Sequence, residues 1–223
     1  MVKQERAART RRSLIKAAAE VFAEVGFVPA SLGAISARAG VSSGALHFHF
    51  ATKGVLAEAV EEEAGETVRR LTEAARAQQG DSLQAVVDAT HELMRVLAQD
   101  VVVRGGFELA GDIGRRATSP LRRQWQLWVE DSLRRAERSG ALAEGVHWAD
   151  AARVVVAATV GMEVLGGGEA AWLSRQNVTR FWEVMLPRLT GDRNRGAVVS
   201  SGSRPPAATS AEPRQRPVPR PER

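Results

Sequence analysis

The stretch ISARAGVSSGALHFHFATKGVL, Ile35 to Leu56, decides how the whole 223-residue chain is read. A short segment with helical apolar spacing ends at Ala39, the chain turns at Gly40-Val41, and a second short segment follows Ser42. Glycine permits the tight turn, and Ile35, Val41 and Leu46 are spaced to lock two short helices against Phe22 of a preceding one. Ser31 and Ser42 stand where helix N-caps are needed. Thr52 stands before a longer helix running through Val55, Leu56, Val60 and Val68 to Leu71. These lengths are those of a helix-turn-helix. The outward positions of its second helix, Ser42, Ser43, Gly44, Ala45 and His47, are small or polar. They suit a major groove, where small residues allow close approach and hydroxyls or imidazole reach phosphates and base edges.

Outward from this core the chain stays helical. Leu14, Ala17, Ala18, Val21, Phe22 and Val25 give a first amphipathic helix, with Gly26 to end it. Leu83 to Leu97, Val101 to Leu109, and Leu121 to Ala136 repeat the pattern with a Gly/Arg-rich loop before Pro120. Ala151 to Leu165 is apolar nearly all round, which predicts burial on more than one side. A last helix is predicted to carry Trp172, Val178, Phe181, Trp182, Met185, Leu186 and Leu189. No period-2 strand pattern emerges, so the expected fold class is all-α. The expected organisation is a helix-turn-helix DNA-binding domain over 1–50, a second helical domain over 51–190, and a tail over 191–223. Six of the nine prolines lie in that tail, among Ser, Ala and Arg, which predicts disorder.

Composition narrows the function. Hydrophobic residues make up 44% of the chain, enough for a sizeable core. Zero cysteines exclude disulfides, thiolate metal sites and a cysteine nucleophile. The longest apolar run, Val154 to Met162, is too short to cross a bilayer, and the charged N-terminus lacks a signal-peptide pattern, so a cytoplasmic protein without membrane association is expected. The net charge of +5 is uneven: residues 1–16 carry +5 and residues 190–223 carry +4, leaving −4 between them. A basic first helix on an acidic body points to a polyanionic partner, with Arg9, Arg11, Arg12 and Lys16 available for the DNA backbone.

His47-Phe48-His49 also admits a metal reading. Residues two apart on a helix point about 200° apart, and no acidic partner is close in sequence, so no metal ligand is expected. No glycine-rich phosphate loop, paired-carboxylate motif or Ser-x-x-Lys is present. Asp88, His91 and Glu92 read as a polar helix face. No catalytic residue and no cofactor are expected.

The segment Ser31–Leu56 resembles the signature of TetR-type transcriptional repressors, T-x-x-x-I-A-x-x-A-G-V-S-x-G-x-L-Y-x-H-F-x-x-K-x-x-L, with Ser31 where Thr is common. The resemblance covers about the first 56 residues. It implies an Ω-shaped homodimer, DNA contacts by the three-helix head and an inducer site in the body. Two departures fall on positions that touch DNA in the family: Ser43 replaces a usual Lys, and His47 a usual Tyr. Lys53 matches a family residue that contacts phosphate through its side chain or amide, and His49 a near-constant His expected to pack locally and bond to backbone.

Farther along, VVVRGGFEL (Val101–Leu109), Pro120 with Trp125, and Val160-Gly161 with Val164-Leu165-Gly166-Gly167 look like the γ-butyrolactone autoregulator receptors of antibiotic-producing actinobacteria. That resemblance implies that Trp125 packs over a bound lactone. Trp128, Phe107 and Thr159 are further expected ligand contacts, although the Trp125/Trp128 spacing by itself favours core, and for the Thr159 hydroxyl a carbonyl of its own helix is the favoured partner. Helix 151–165 and the Trp172/Phe181/Trp182 helix are expected to build a homodimer face. The expected partners are a double-stranded DNA operator and a butyrolactone-like or antibiotic inducer. A multidrug-efflux-type repressor, and a DNA-binding factor with no small-molecule switch, remain open alternatives.

Overall fold

A computed structural model of the chain describes residues 2–77, 82–111, 120–190, 196 and 198–203. Every regular element among them is helical: α1 Val2–Val25, α2 Leu32–Arg38, α3 Ser43–His49, α4 Lys53–Ala77, α5 Ser82–Gln99, α6 Val101–Gly111, α7 Leu121–Arg138, α8 Trp148–Gly166 and α9 Arg175–Leu189, with a 3-10 turn at Ala170–Leu173.

The local chemistry sets the ends. Ser31 Oγ accepts the Ala34 amide at 3.1 Å, Ser42 Oγ the Ala45 amide at 3.2 Å, and Thr52 Oγ1 the Val55 amide at 3.2 Å. Between α2 and α3, Gly40 takes φ +66°, a conformation that costs an L side chain but not glycine. The turn closes with Gly40 N–H on Ala37 O and Val41 N–H on Ser36 O, both 3.1 Å, a Schellman arrangement that fixes the angle between the two short helices.

Two apolar cores result. The first holds Leu14, Ala18 and Phe22 of α1, Ile35, Leu46 and Phe50, Leu56 and Val60 of α4, and Leu109 of α6, with Val41 and Val102 packed against it. The second runs from Val68 through Leu83, Met94, Phe107, Trp125, Leu133 and Val155 to Trp182. The head's core therefore reaches past the expected boundary at residue 50, taking in the first two turns of α4 and, from α6, Leu109 with Val102 against it.

α6 is the joint. Phe107 faces the body core while Leu109 faces the head core. A Cβ on Gly105 would lie 2.6 Å from Ala19 O of α1, and one on Gly106 would lie 2.6 Å from Ala64 Cβ of α4. Two glycines thus let α6 pack directly on both helices that bear the head, a contact no larger residue permits.

Three expectations change. α8 buries Ala151, Ala152, Val155, Thr159 and Met162, but Val154, Val164 and Leu165 are exposed, because the body of one chain covers only one stripe of this helix. Trp172 lies in the separate 3-10 turn, since a new N-cap at Ser174 starts α9 afterwards. The tail was expected to lack structure throughout, yet residues 198–203 pack on α5, where side chains satisfy their backbone groups. Residues 191–195, 197 and 204–223 lie outside the described residues, as does most of the loop before Pro120.

Candidate DNA interface and effector cleft

Burying Leu46 and, just beyond the helix, Phe50 fixes which way α3 points. Ser42, Ser43, Gly44 and His47 are then exposed and Ala45 half-buried. Ser42 and Ser31, also exposed, use their hydroxyl oxygens as caps and keep their O–H donors. Phe48 is 82% exposed, one turn beyond Gly44 on the same face. Sequence reasoning missed Phe48; the signal was an aromatic residue falling off the apolar stripe that holds Leu46. His49 packs locally, its ring 5.1 Å edge-on from Phe48 and 6.4 Å from Phe50. It forms no backbone hydrogen bond among the described residues, contrary to expectation, because its ring is directed along the phenylalanines. Among the described residues no group of three or more His, Cys, Asp or Glu is arranged to hold a metal ion.

One expected DNA contact is narrowed. The Lys53 ammonium donates to Phe27 O at 2.8 Å, Val28 O at 3.0 Å and Ala30 O at 2.8 Å, and lies 4.5 Å from the centre of the Phe27 ring. An ammonium has three donors, and all three serve the α1–α2 connection, so this side chain has none left for a phosphate. What remains at Lys53 is its backbone amide in the first turn of α4, among the N–H groups that a helix cannot satisfy itself. Arg11 is exposed, and its guanidinium lies over the Phe50 ring at 5.5 Å and lines a groove with Glu61, Glu62, Glu63 and Glu66. Arg9, Arg12 and Lys16 are exposed on α1, and Arg38, exposed on α2, is held bidentately by Glu24 at 2.5 and 2.7 Å.

In the body, the four expected ligand residues do not surround one cavity among the described residues. Trp125, 1% exposed, donates Nε1–H to Thr159 Oγ1 at 2.9 Å, and Thr159 donates to Val156 O at 3.1 Å. This closed circuit places both in the core. Trp128 stacks on Trp125 at 5.5 Å, and its buried Nε1–H has no acceptor among the described residues. Among the described residues, Phe107 is the one of the four that lines a cleft. That cleft, of about 280 Å³, has Leu97, Phe107, Val164 and Leu173 as apolar wall and the Arg122–Glu163 pair as polar floor. Arg122 Nε and Nη2 each donate to one Glu163 oxygen at 3.0 Å. Burial pushes the Glu163 carboxyl above its ordinary range against the opposing pull of Arg122, while Glu108 adds to the rise. Arg122 and Glu163 are 41 residues apart, and no local motif joins them.

A short three-helix head with an exposed small-polar recognition helix, fastened to a larger helical body, defines a helix-turn-helix regulator rather than an enzyme. Residues 14–60 match the family described as bacterial regulatory proteins, tetR family. The chain is 31% identical over 193 residues to the A-factor receptor protein of Streptomyces griseus, covering 85% of this chain and 67% of that protein. Its fold superposes on a crystal structure of a γ-butyrolactone receptor (ArpA-like protein) with a TM-score of 0.77 and 29% identity, over 88% of this chain and 96% of that one. It also superposes on the TetR family protein CprB from Streptomyces coelicolor in complex with its biological operator sequence, with a TM-score of 0.73 and 30% identity, over 85% and 92%. The chain belongs to the tetR family of bacterial transcriptional regulators and is related to the γ-butyrolactone receptors within it. No helix among the described residues is long and apolar enough to cross a membrane.

Proposed function

We propose that the protein is a cytoplasmic homodimeric repressor that binds a pseudo-palindromic operator and is released by a γ-butyrolactone-like signal or a pathway antibiotic. The observation that carries this reading is the outward face of α3: Ser43, Gly44, His47 and Phe48 are exposed, while Leu46 beneath them is fully buried. A face so small and rigid enters a major groove. Ser43 and His47 supply hydrogen bonds, Phe48 packs on a thymine methyl, and the first-turn amides of α4 hold a phosphate. Arg9, Arg11, Arg12 and Lys16 add non-specific attraction.

A second copy supplies the two-fold. Val154, Val164 and Leu165 of α8 are exposed, and Val184 of α9 is 72% exposed; a monomer has no use for such a surface. Two helices from each chain pack as a four-helix bundle and hold the two α3 helices about one turn of DNA apart. The effector occupies the cleft at Phe107. Its apolar wall takes an acyl chain, and Arg122 takes a carbonyl oxygen. Because α6 lines this cleft and also packs on α1 and α4, ligand that favours a shifted α6 changes the separation of the two heads. Ligand must bind the DNA-incompetent arrangement more tightly, or nothing moves.

Selection of bound duplexes from a random pool tests the DNA reading directly, with a two-fold-symmetric sequence expected. Butyrolactones and pathway antibiotics are then titrated into that complex in gel shifts. Recovery of no common sequence overturns the repressor reading. A ligand that binds in calorimetry and leaves operator affinity unchanged overturns the release mechanism for that ligand.

A further inference from the structure

We propose that residues 198–203 form a latch: Gln84, Asp88 and His91 on α5, with Arg175 on α9, make a groove that reads main-chain groups, and its occupant is this segment of the same chain. Gln84, Asp88 and His91 fall at i, i+4 and i+7, one face of α5, where the sequence alone suggested only a solvated polar stripe. Each holds the backbone of the segment. Gln84 Oε1 accepts the Val199 amide at 2.7 Å and Gln84 Nε2 donates to Val199 O at 3.3 Å, so one side-chain amide clamps both polar groups of one residue. Asp88 Oδ1 accepts the Ser203 amide at 2.7 Å and is itself positioned by Gln84 Nε2 at 2.8 Å. His91 Nε2 donates to Ser200 O at 2.9 Å, and Arg175 Nη2 donates to Ser201 O at 2.5 Å.

Shape agrees with this reading. Val198 is buried in the body core as an anchor, and the segment closes on itself through Gly202 N–H to Val199 O at 3.0 Å. Gly202 has φ +78°, and a Cβ there would come within 3.2 Å of the His91 ring, so glycine is needed both for the turn and for the close approach. Side chains of the segment are hardly used: four of its residues are held by main-chain atoms. The groove therefore selects a conformation, a buried apolar residue followed by a turn ending in glycine, rather than a set of side chains. Such a contact is specific to a tethered segment, for which the effective concentration is high and no side-chain code is required.

The latch joins α5 to the first residue of α9. Since α9 also carries Val184, an open latch loosens the face assigned above to dimerisation and lowers operator affinity; this consequence rests on the repressor reading, whereas the latch itself does not. Hydrogen–deuterium exchange on the full chain at one pH tests it. In the unmodified protein, exchange across 198–203 is slow compared with an unstructured peptide. In Gln84→Ala and in Gly202→Val it accelerates by about tenfold, the size expected when a net hydrogen bond is lost, while α7 and α8 keep their protection and so report an intact fold. A Ser200→Ala/Ser201→Ala double variant keeps the protection, because only main-chain atoms are read. Free-peptide exchange across 198–203 in the unmodified protein, or unchanged exchange in both opening variants, overturns the latch. An opened latch with unchanged operator affinity overturns only its coupling to the dimer, and a protected latch in a protein that selects no DNA overturns only the repressor reading.

Discussion

The outward face of α3 and the Trp125–Thr159 pair contain the same kinds of group, hydroxyls and ring N–H donors, and the fold uses them in opposite ways. On α3, Ser43 and His47 have no hydrogen-bond partner within the described protein and face solvent, which satisfies them until something displaces it. In the body, the Trp125 N–H ends on Thr159 and the Thr159 O–H ends on Val156, so nothing is left to offer. A recognition surface on a rigid helix is complete in the free chain. An effector site in a packed bundle is not, because any polar group there must already be satisfied or carry the cost of burial unpaired.

The joint between the two regions gives the largest expected effect. Gly105→Val puts a branched side chain where even a Cβ meets the backbone of Ala19 at 2.6 Å, and α1 cannot retreat without opening the head core. We expect a loss of about 3 kcal/mol in denaturant unfolding, with operator binding lost together with stability. If Gly105→Val binds operator and melts like the unmodified protein, head and body are not joined through α6.

Lys53→Met separates fold from recognition in the head. Three carbonyls lose a charged donor, and we expect about 2 kcal/mol of destabilisation. A lysine that touched a phosphate would, when removed, reduce the salt dependence of operator binding by about one unit of slope. Here the slope is expected to stay constant. A reduced slope at unchanged stability would restore the DNA contact that the resemblance to TetR-type repressors first implied.

The two regions also differ in how far the sequence disclosed them. The turn at Gly40-Val41, the caps at Ser31, Ser42 and Thr52, and the exposed set on α3 all follow from spacing within a few residues, so they were legible. Lys53 was placed in the right region, but the hold on its ammonium was not legible, since the carbonyls it binds lie 23 to 26 residues away. The body shows the same limit more strongly. Trp125 and Thr159 were singled out individually, but which of them meets ligand and which meets the other depends on how α7 packs on α8. The Arg122–Glu163 pair and the grip of Gln84, Asp88 and His91 on residues 198–203 left no local trace at all.

A smaller effect decides between the core and the cleft within the body. Trp125→Phe removes the N–H together with part of a fully buried ring, leaving Thr159 bonded to Val156, and we expect about 1.5 kcal/mol in thermal unfolding. Arg122 lies one turn before Trp125 and lines the cleft; Arg122→Met is expected to raise the lactone concentration needed for operator release, and Trp125→Phe to leave it nearly unchanged. The reverse ranking, seen in the same gel-shift titration, would put the effector against Trp125 and the cleft out of use.

The smallest effect lies at the latch, and its sign follows from the surroundings of His91. Burial is the main influence lowering its pKa below the ordinary 6.5, and Arg175 adds to it, while the Ser200 carbonyl and Asp88 oppose. Glu92 and Arg95, also on α5 and lining the same groove, are paired with each other, and the α4 side presents only Leu71, Ala74 and Ala75. With Nε2–H directed at Ser200, the second nitrogen, Nδ1, is buried without a partner, so a proton added there has no acceptor. The neutral ring is thus favoured in the closed latch. Its stabilisation is complete above the open-state pKa near 6.5 and declines as pH falls from there toward the lowered closed-state value. Exchange across 198–203, corrected for the intrinsic pH dependence of amides, should speed up a few-fold between pH 7.5 and 5.5, well under 1 kcal/mol. His91→Gln keeps a donor for Ser200 O and cannot titrate in this range, so its corrected exchange should be flat across the same interval. A histidine profile as flat as the glutamine one would mean that the ring only fills space beside Gly202, and that the latch holds at every pH at which the protein is folded.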